Sequence, residues 1–186
     1  MTAPTAPTAP ATITRLTPAR FHDSITGLAA LLTAAVADGA SLGFLAPLTQ
    51  EDAAHWWHAQ TPAVTDGTLT VWTAHHHGQL TGTIGLTTAP KANGRHRAEI
   101  IKLMVHPRAR RRGLARTLLT TAEHAAAQTG ITLLLLDTET GSAAEHLYTT
   151  AGWTRYGTVP RYAADPAGSL RDCSFFYKEL HPDGPR

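Results

Sequence analysis

The sequence has few cysteines, few charges and no long apolar run, and each shortage excludes a class of protein. Cys173 is the only cysteine, which excludes an internal disulfide framework and a cysteine-based zinc cluster. Charged residues make up only 16% of the 186 positions. The longest apolar run, around Leu133–Leu136, is far too short to cross a bilayer, and Met1–Ala11 lacks the basic and apolar parts of a secretory signal. We therefore expect a soluble, cytoplasmic protein with no membrane partner.

The net charge of +2 hides an asymmetry along the chain. Nine of the 16 Lys and Arg residues lie between Lys91 and Arg116, where Glu99 is the single acid. The remainder has seven basic and thirteen acidic residues and is therefore acidic. A cationic segment in an acidic chain predicts one polyanionic ligand bound at one place. It argues against nucleic-acid binding, which favours a basic balance overall and interleaved aromatic residues.

Hydrophobic periodicity and turn residues predict a single α/β domain. The Thr-Ala-Pro repeat in residues 1–11 predicts a disordered tail, and residues 12–181 are expected to form the domain. The predicted helices begin at Pro18, after Thr49, at Leu114 and after Ser142. The predicted strands are Ile13–Leu16, Thr68–Ala74, Leu80–Thr87, Glu99–Val105, Ile131–Asp137, Thr154–Val159 and Cys173–Leu180. The nearly all-apolar strand Ile131–Asp137 is expected to be covered on both faces.

The segment from Glu99 to Arg116 carries the strongest local signal. A strand ends at Val105, His106-Pro107 breaks it, and an arginine-rich loop with Gly113 leads into a helix. The free N–H groups and partial positive charge of a helix N-terminus attract phosphate, and arginine adds bidentate donors. The loop has neither the Gly-Lys-Ser/Thr of a P-loop nor the three glycines of a dinucleotide fold. It therefore predicts a pyrophosphate site of another kind, with a solvated basic loop as the alternative.

Taken in order, these motifs resemble those of the GCN5-related N-acetyltransferases. Val105-His106-Pro107 followed by Arg110-x-x-Gly113-x-Ala115 looks like their acetyl-CoA motif, and a helix with Tyr148 before Ala151-Gly152-Trp153 looks like their second landmark. The resemblance covers about residues 69–180 and implies a mixed, mostly antiparallel sheet of about seven strands flanked by about four helices. A narrower resemblance is to the tabtoxin-resistance branch. It is carried by Gly43-Phe44-Leu45-x-Pro47-Leu48, Lys102-Leu103-Met104-Val105, Leu136-Asp137-Thr138-Glu139, Gly141-Ser142-x-Ala144-Glu145, Gly157-x-x-Pro160-x-Tyr162 and Asp165-Pro166-x-Gly168.

The resemblance implies an enzyme that uses acetyl-CoA as acetyl donor, without a metal, by direct transfer within a ternary complex. The strand residues Leu103, Met104 and Val105 would offer backbone groups to the pantetheine arm and polarise the thioester carbonyl. The pyrophosphate would be held by Arg110, Arg111, Arg112, Gly113, Leu114, Ala115 and Arg116. The arm would also pass Ser142, Ala144, Glu145 and Tyr148.

Catalysis by this family needs a base for the amine and an acid for the thiolate, and three residues are candidates. The resemblance implies that Tyr148 protonates the leaving thiolate; the alternative is a helix tyrosine that packs on Trp153. Glu99 is the first candidate base, acting directly or through water, although it could instead be a strand-edge acid paired with Lys102 or Arg97. Asp137 is the second candidate, acting as base or binding the substrate ammonium, and its alternative is a turn-forming or capping residue.

The resemblance implies that the acceptor is a small amine, namely an amino-acid-like antibiotic or toxin that acetylation inactivates. Phe44, Glu51 and Trp57 are candidates for lining its pocket beside Glu99 and Asp137. The alternatives are acetylation of a protein or polyamine and a non-catalytic acyl-CoA-binding regulatory module. Oligomeric state stays open between monomer and homodimer. His75-His76-His77 is interpreted as a solvated turn rather than a metal site.

Overall fold

The computed structural model describes residues 11–180, so the predicted tail lies outside the described residues except for Ala11. The strands of this part are β1 (Thr12–Arg15), β2 (Leu69–His76), β3 (Gln79–Thr88), β4 (Arg97–Val105), β5 (Leu133–Glu139), β6 (Thr154–Ala164) and β7 (Leu170–Glu179). The α-helices are α1 (Pro18–Ala37), α2 (Gln50–His58), α3 (Thr61–Thr65), α4 (Leu114–Gln128) and α5 (Ala143–Thr150). Within residues 11–180, no helix is long and apolar enough to cross a membrane.

The strands form one seven-stranded sheet in the order β1-β2-β3-β4-β5-β7-β6. Every neighbouring pair is antiparallel except β4 and β5, which run parallel because α4 connects them. The predicted mixed, mostly antiparallel sheet is thus confirmed. The described residues contain five α-helices where about four were expected. The additional helix α3 spans only five residues, which is too short for a periodic apolar stripe to reveal it.

Capping groups fix where the long helices begin. The side chain of Thr17 accepts a hydrogen bond from the Arg20 N–H at 3.3 Å, and Pro18 occupies the first turn of α1. Thr49 accepts in the same way from the Asp52 N–H at 3.0 Å and begins α2. Both starts follow the sequence prediction, because each cap needs only residues that are three positions apart.

Two apolar clusters hold the sheet between layers of helices. On one face, α4 and α5 pack against strand residues that include Ile100, Leu134 and Leu136. On the other face, α1, α2 and α3 cover β2 and part of β4, with Phe21 and Trp57 fully buried. Each fully buried large apolar side chain contributes about 1.5–3 kcal/mol to folding.

Only one face of β5 is fully covered. Leu134 and Leu136 are buried against α4 and α5, whereas the alternate positions Leu133 and Leu135 are half-buried and Asp137 is exposed. The prediction that this strand is covered on both faces is therefore wrong. Helices α1–α3 lie over the β1–β4 half of the sheet, so the end of β5 on that face remains open.

Candidate functional site

Strands β4 and β5 separate part-way along the sheet. Their parallel ladder pairs Arg97 with Leu133, Ala98 with Leu134 and Glu99 with Leu135, and it ends there. Beyond Glu99, β4 continues only with β3, while β5 continues only with β7. The edge of β4 that faces β5 is then without a strand partner within the described residues. Such an edge can hydrogen-bond to an extended ligand as it would to another strand.

A β-bulge turns the free end of β4. Thr83 pairs with Met104 and Gly85 with Ile101, so the single residue between them on β3 opposes both Lys102 and Leu103. Lys102 has a φ of +49°, a left-handed conformation that few residues other than glycine adopt. Met104 and the predicted backbone donors beside it lie at this bulge, in the stretch of β4 without a partner on its β5 side.

The arginine-rich loop divides into braced and exposed side chains. Arg110 forms an ion pair with Asp38 after α1 and donates from Nε to the Val105 carbonyl oxygen at 3.3 Å. Arg116 donates to the Thr150 carbonyl oxygen at 3.2 Å and to its hydroxyl at 2.6 Å. Both arginines therefore connect elements of this chain. The sequence analysis did not predict these contacts, because Asp38 and Thr150 lie far from the arginines along the chain.

Arg111 and Arg112 are exposed and form no hydrogen bond or ion pair with any residue of the described part of the chain. They flank the start of α4, where Gly113 has a φ of +76° and no side chain caps the helix. The first turn of α4 also carries no acid. The free N–H groups of this turn can therefore bind an anion together with the two arginines. Ala115 belongs to this turn, and the side chain of Leu114 is buried.

The start of α5 closes the other side of the opening. Ser142 caps the helix by accepting from the Glu145 N–H at 3.2 Å, and its hydroxyl lies 3.4 Å from that of Thr138. The Glu145 carboxylate accepts from the Gly141 N–H at 2.6 Å, and this hydrogen bond is the main reason why the pKa of Glu145 is lowered. The predicted capping box is thus formed with one difference, since Glu145 reaches one residue further back than Ser142. Ala144 packs against the core.

Tyr148 combines core packing with a polar end. Its ring lies 5.9 Å from Trp153 and 6.1 Å from Phe176 between centroids, and the residue is 5% exposed. The packing that was weighed as an alternative is therefore present. Burial raises the pKa of Tyr148 well above its ordinary value, and the charge of Asp137 raises it further. The phenol consequently keeps its proton at neutral pH and can donate it.

Glu99 and Asp137 project from the same face of the sheet. Their neighbours Ala98, Ile100 and Leu136 belong to the cluster under α4 and α5, and successive side chains of a strand alternate. Partial desolvation raises the pKa of Glu99, and the negative charge of Asp137 raises it further. No ion pair joins Glu99 to any cation among residues 11–180, so the alternative in which Lys102 or Arg97 pairs with it is wrong.

Asp137 lies at the centre of the polar groups around the opening. Its charge acts on the pKa of Glu99, Lys102 and Tyr148. Its Oδ2 also accepts a hydrogen bond from the Cys173 thiol at 3.3 Å. Burial, followed by this contact, raises the pKa of Cys173 to about 12. Cys173 is buried, and its contact with Asp137 was not predicted because the two residues lie on different strands.

The three residues that were expected to line an acceptor pocket have different positions. Phe44 is half-buried and lies edge-on to Trp56, with 5.8 Å between their centroids. Trp57 is only 1% exposed and packs on Phe21, so its side chain belongs to the core and does not line an open pocket, whereas the adjacent Trp56 contacts Phe44. Glu51 is exposed in the first turn of α2 and has no contact with the other candidates in the described hydrogen bonds and ion pairs.

Two loops meet across the open face. The Ala46 N–H, in the connection between α1 and α2, donates to the Pro166 carbonyl oxygen in the turn between β6 and β7 at 2.8 Å. Asp165 orders that turn by accepting from the Ala167 and Ser169 N–H groups. This bridge joins the loop after α1 to the turn between β6 and β7.

The histidine run is placed differently from the prediction. His75 and His76 belong to β2, and only His77 and Gly78 form the turn to β3. The interpretation of all three as a turn is therefore wrong for the first two, because the hairpin is tighter than expected. No cluster of three or more His, Cys, Asp or Glu in residues 11–180 is arranged to hold a metal ion.

Comparison with known proteins adds independent information. Residues 30–153 match the model of a family described as the acetyltransferase (GNAT) family. The fold is similar to a ribosomal-protein-alanine N-acetyltransferase from Brucella melitensis (TM-score 0.72, 25% identity, 91% of this chain and 99% of that chain covered). It is also similar to an acetyltransferase from Salmonella typhimurium determined with acetyl-CoA (TM-score 0.73, 21% identity, 92% and 94% covered). A structure described as a phosphinothricin N-acetyltransferase matches as well (TM-score 0.74, 20% identity, 91% and 99% covered).

Proposed function

Because this chain belongs to the GNAT family and is an acetyl-CoA-dependent N-acetyltransferase, we propose that it acetylates the amine of a small molecule at the opening between β4 and β5. The observation that carries this proposal is the coupling of Glu99, Asp137 and Tyr148 at one end of that opening. A base, a second carboxylate and a proton donor are the groups that amine acetylation requires.

The residues of the opening fit the donor. The first turn of α4 with Arg111 and Arg112 offers N–H and guanidinium donors to a pyrophosphate, and the free edge of β4 offers backbone groups to the extended arm. Acetyl-CoA supplies an acetyl group that is activated as a thioester. N–H groups at the bulge around Leu103 are placed to polarise the carbonyl of that group.

Glu99 is the proposed base. An amine is mostly protonated at neutral pH, so a proton must leave before the nitrogen can attack. The raised pKa of Glu99 brings its basicity closer to the working pH than that of an ordinary carboxylate. Glu99 accepts the proton directly or through a water molecule, while Asp137 attracts the ammonium and orients it.

Tyr148 is the proposed acid. A phenol is protonated at neutral pH, and the raised pKa of Tyr148 keeps it in that form. The hydroxyl therefore donates to the sulfur as the carbon–sulfur bond breaks. Packing on Trp153 and Phe176 holds the ring in place for this transfer.

The proposed acceptor is an amino-acid-like antibiotic or toxin, and acetylation would give resistance or self-protection in the cytoplasm. The segments that resemble the tabtoxin-resistance branch support this acceptor. The similar structures include one named for a small molecule and one named for a ribosomal protein. Acetylation of a protein N-terminus is therefore the second candidate, favoured by the Brucella melitensis similarity.

A Tyr148→Phe variant tests the proposed function. Calorimetric titration with acetyl-CoA is paired with a thiol-release assay over a panel of small amines and N-terminal peptides, and Tyr156→Phe is the control because Tyr156 is 59% exposed. We expect unchanged acetyl-CoA affinity in both variants and turnover lowered about 100-fold or more only in Tyr148→Phe. If only peptides are acetylated, a protein N-terminus replaces the small molecule as the proposed acceptor. Equal turnover by the wild type, Tyr148→Phe and Tyr156→Phe would exclude Tyr148 from the mechanism.

A further inference from the structure

Lys102 is a charged residue within the otherwise apolar run from Ile100 to Val105. Its ammonium lies between two aromatic rings, on the side where the acceptor is proposed to bind. Its Nζ is 4.8 Å from the centroid of the Trp56 ring and 5.3 Å from that of Phe44. It donates one hydrogen bond, to the Leu42 carbonyl oxygen at 2.8 Å. The Phe44 ring and the Leu42 carbonyl group, from the loop between α1 and α2, and the Trp56 ring of α2 thus lie around this cation.

We propose that Lys102 binds a carboxylate of the acceptor, so that the enzyme selects amines that also carry an acid group. This inference rests on the proposed function and names a substrate class for the same site. An ammonium group has three N–H donors, and the described residues use one of them. The two remaining donors are those that an acceptor carboxylate would occupy.

Another lysine of the same protein shows what a structural lysine has and Lys102 lacks. Lys178 is also half-buried, and its Nζ binds the Glu123 carboxylate at 2.8 Å and the Ala151 carbonyl oxygen at 2.9 Å. Lys102 has the carbonyl contact but no carboxylate partner among residues 11–180. A desolvated cation without a counter-ion is costly, and an anionic ligand would remove that cost.

The electrostatics of Lys102 agree with a role in ligand binding. Burial lowers its pKa, and the charge of Asp137 opposes that effect. Asp137 therefore lies within electrostatic range of Lys102 as well as of Glu99. An acceptor with an amine and a carboxylate matches this arrangement, because its ammonium end faces two acids while its acid end faces the cation.

The backbone of Lys102 also carries a cost that packing alone does not explain. A left-handed φ at a residue other than glycine is strained and persists only where the surroundings enforce it. The β-bulge enforces it here and directs Lys102 out of the regular alternation of β4. Gly43 lies beside the ammonium, and a Cβ at that position would be 4.0 Å from Nζ.

Matched acceptors test this inference. The thiol-release assay is run with L-alanine, L-glutamine and L-lysine and with the corresponding amino-acid amides, which keep the amine and side chain but lack the carboxylate. Rates are compared at equal concentrations of the neutral amine. For the acceptors that react, we expect the kcat/KM of the acid to exceed that of its amide by about tenfold or more, from the strength of a charge-assisted hydrogen bond.

The variants separate binding from a purely structural role. In Lys102→Met the acid-to-amide ratio should fall close to one, in Lys102→Arg it should persist, and in the control Lys91→Met, which removes an exposed lysine, it should equal the wild-type ratio. A lysine that only pins the loop would lower all rates without changing the ratio. If Lys102→Met does not fold, the acid-to-amide ratios of kcat/KM for the wild type and for Lys102→Arg still test the inference.

Two failures are distinguishable. Turnover of acids and amides at equal rates by the wild type, or an unchanged ratio in Lys102→Met, would overturn the role of Lys102 and leave the proposed function intact. Acetyl-CoA binding without turnover of any small amine would overturn the proposed function, and the carboxylate site would fall with it.

Discussion

Removal of the Glu123 carboxylate should destabilise the protein more than any surface change on α4. Glu123 is 8% exposed and accepts two hydrogen bonds, from the Trp153 indole N–H at 2.7 Å and from Lys178 at 2.8 Å. It thereby ties α4 to β7 and to the turn after α5. In Glu123→Ala both donors lose their acceptor.

The magnitude follows from the two donors. The indole N–H of Trp153 belongs to a residue that is 4% exposed, and an unsatisfied buried donor costs about 1–3 kcal/mol. The Lys178 side chain is 24% exposed and keeps its hydrogen bond to Ala151, so its loss is closer to about 1 kcal/mol. We expect a total of about 3 kcal/mol, which corresponds to a Tm about 6–12 °C lower for a domain of this size.

Urea denaturation followed by tryptophan fluorescence and circular dichroism measures this change. Glu123→Gln should lose roughly half as much, because its amide oxygen still accepts from Trp153 while the charge opposite Lys178 is gone. Gln128→Ala on the same helix is the control, since Gln128 is exposed. A loss in Glu123→Ala below about 1 kcal/mol, or one equal to the control, would refute the reasoning.

Two further predictions concern the donor loop and the base. Arg112→Ala should weaken acetyl-CoA binding about fivefold in calorimetry, and this effect should be smaller at high salt. Arg110→Ala should mainly lower the stability of the fold, because Arg110 forms an ion pair with Asp38. Equal acetyl-CoA affinities of the two variants would contradict this difference. As the proposed base, Glu99 would act in its deprotonated form, so activity should rise with pH through its raised pKa. Asp137→Asn removes a charge that raises this pKa, so the acidic limb of the kcat/KM profile should move to lower pH, and a limb that does not move would exclude the coupling.

The sequence predicted the elements whose signals are local. Helix α4 begins at Leu114, as predicted, because a glycine precedes its apolar stripe. The caps at Thr17 and Thr49 are equally local. Strand β6 was predicted to end at Val159 but continues to Ala164, because a register irregularity between Val159 and Ala163 lets this edge strand go on past the proline.

The candidate site was predicted in part. The family resemblance singled out Tyr148, and the positions of Glu99 and Asp137 on neighbouring strands singled out those two. The structure brings Asp137 within electrostatic range of both others, while the catalytic roles stay predictions. The partners of Arg110 and the neighbours of Lys102 could not be predicted, because they come from α1, α2 and the loop between them. For Lys102 a signal existed, since a lone charge inside an apolar strand needs an explanation.

The ion pair between Arg110 and Asp38 has a consequence for how the two substrates influence each other. Arg110 belongs to the loop that faces the donor, and Asp38 ends the helix that leads into the loop around Phe44. A ligand phosphate that draws the Arg110 guanidinium away from Asp38 releases the end of α1. A phosphate that leaves this ion pair intact leaves the end of α1 held. Only in the first case does the affinity for one substrate depend on the presence of the other, and thermodynamic linkage then makes that dependence the same in both directions.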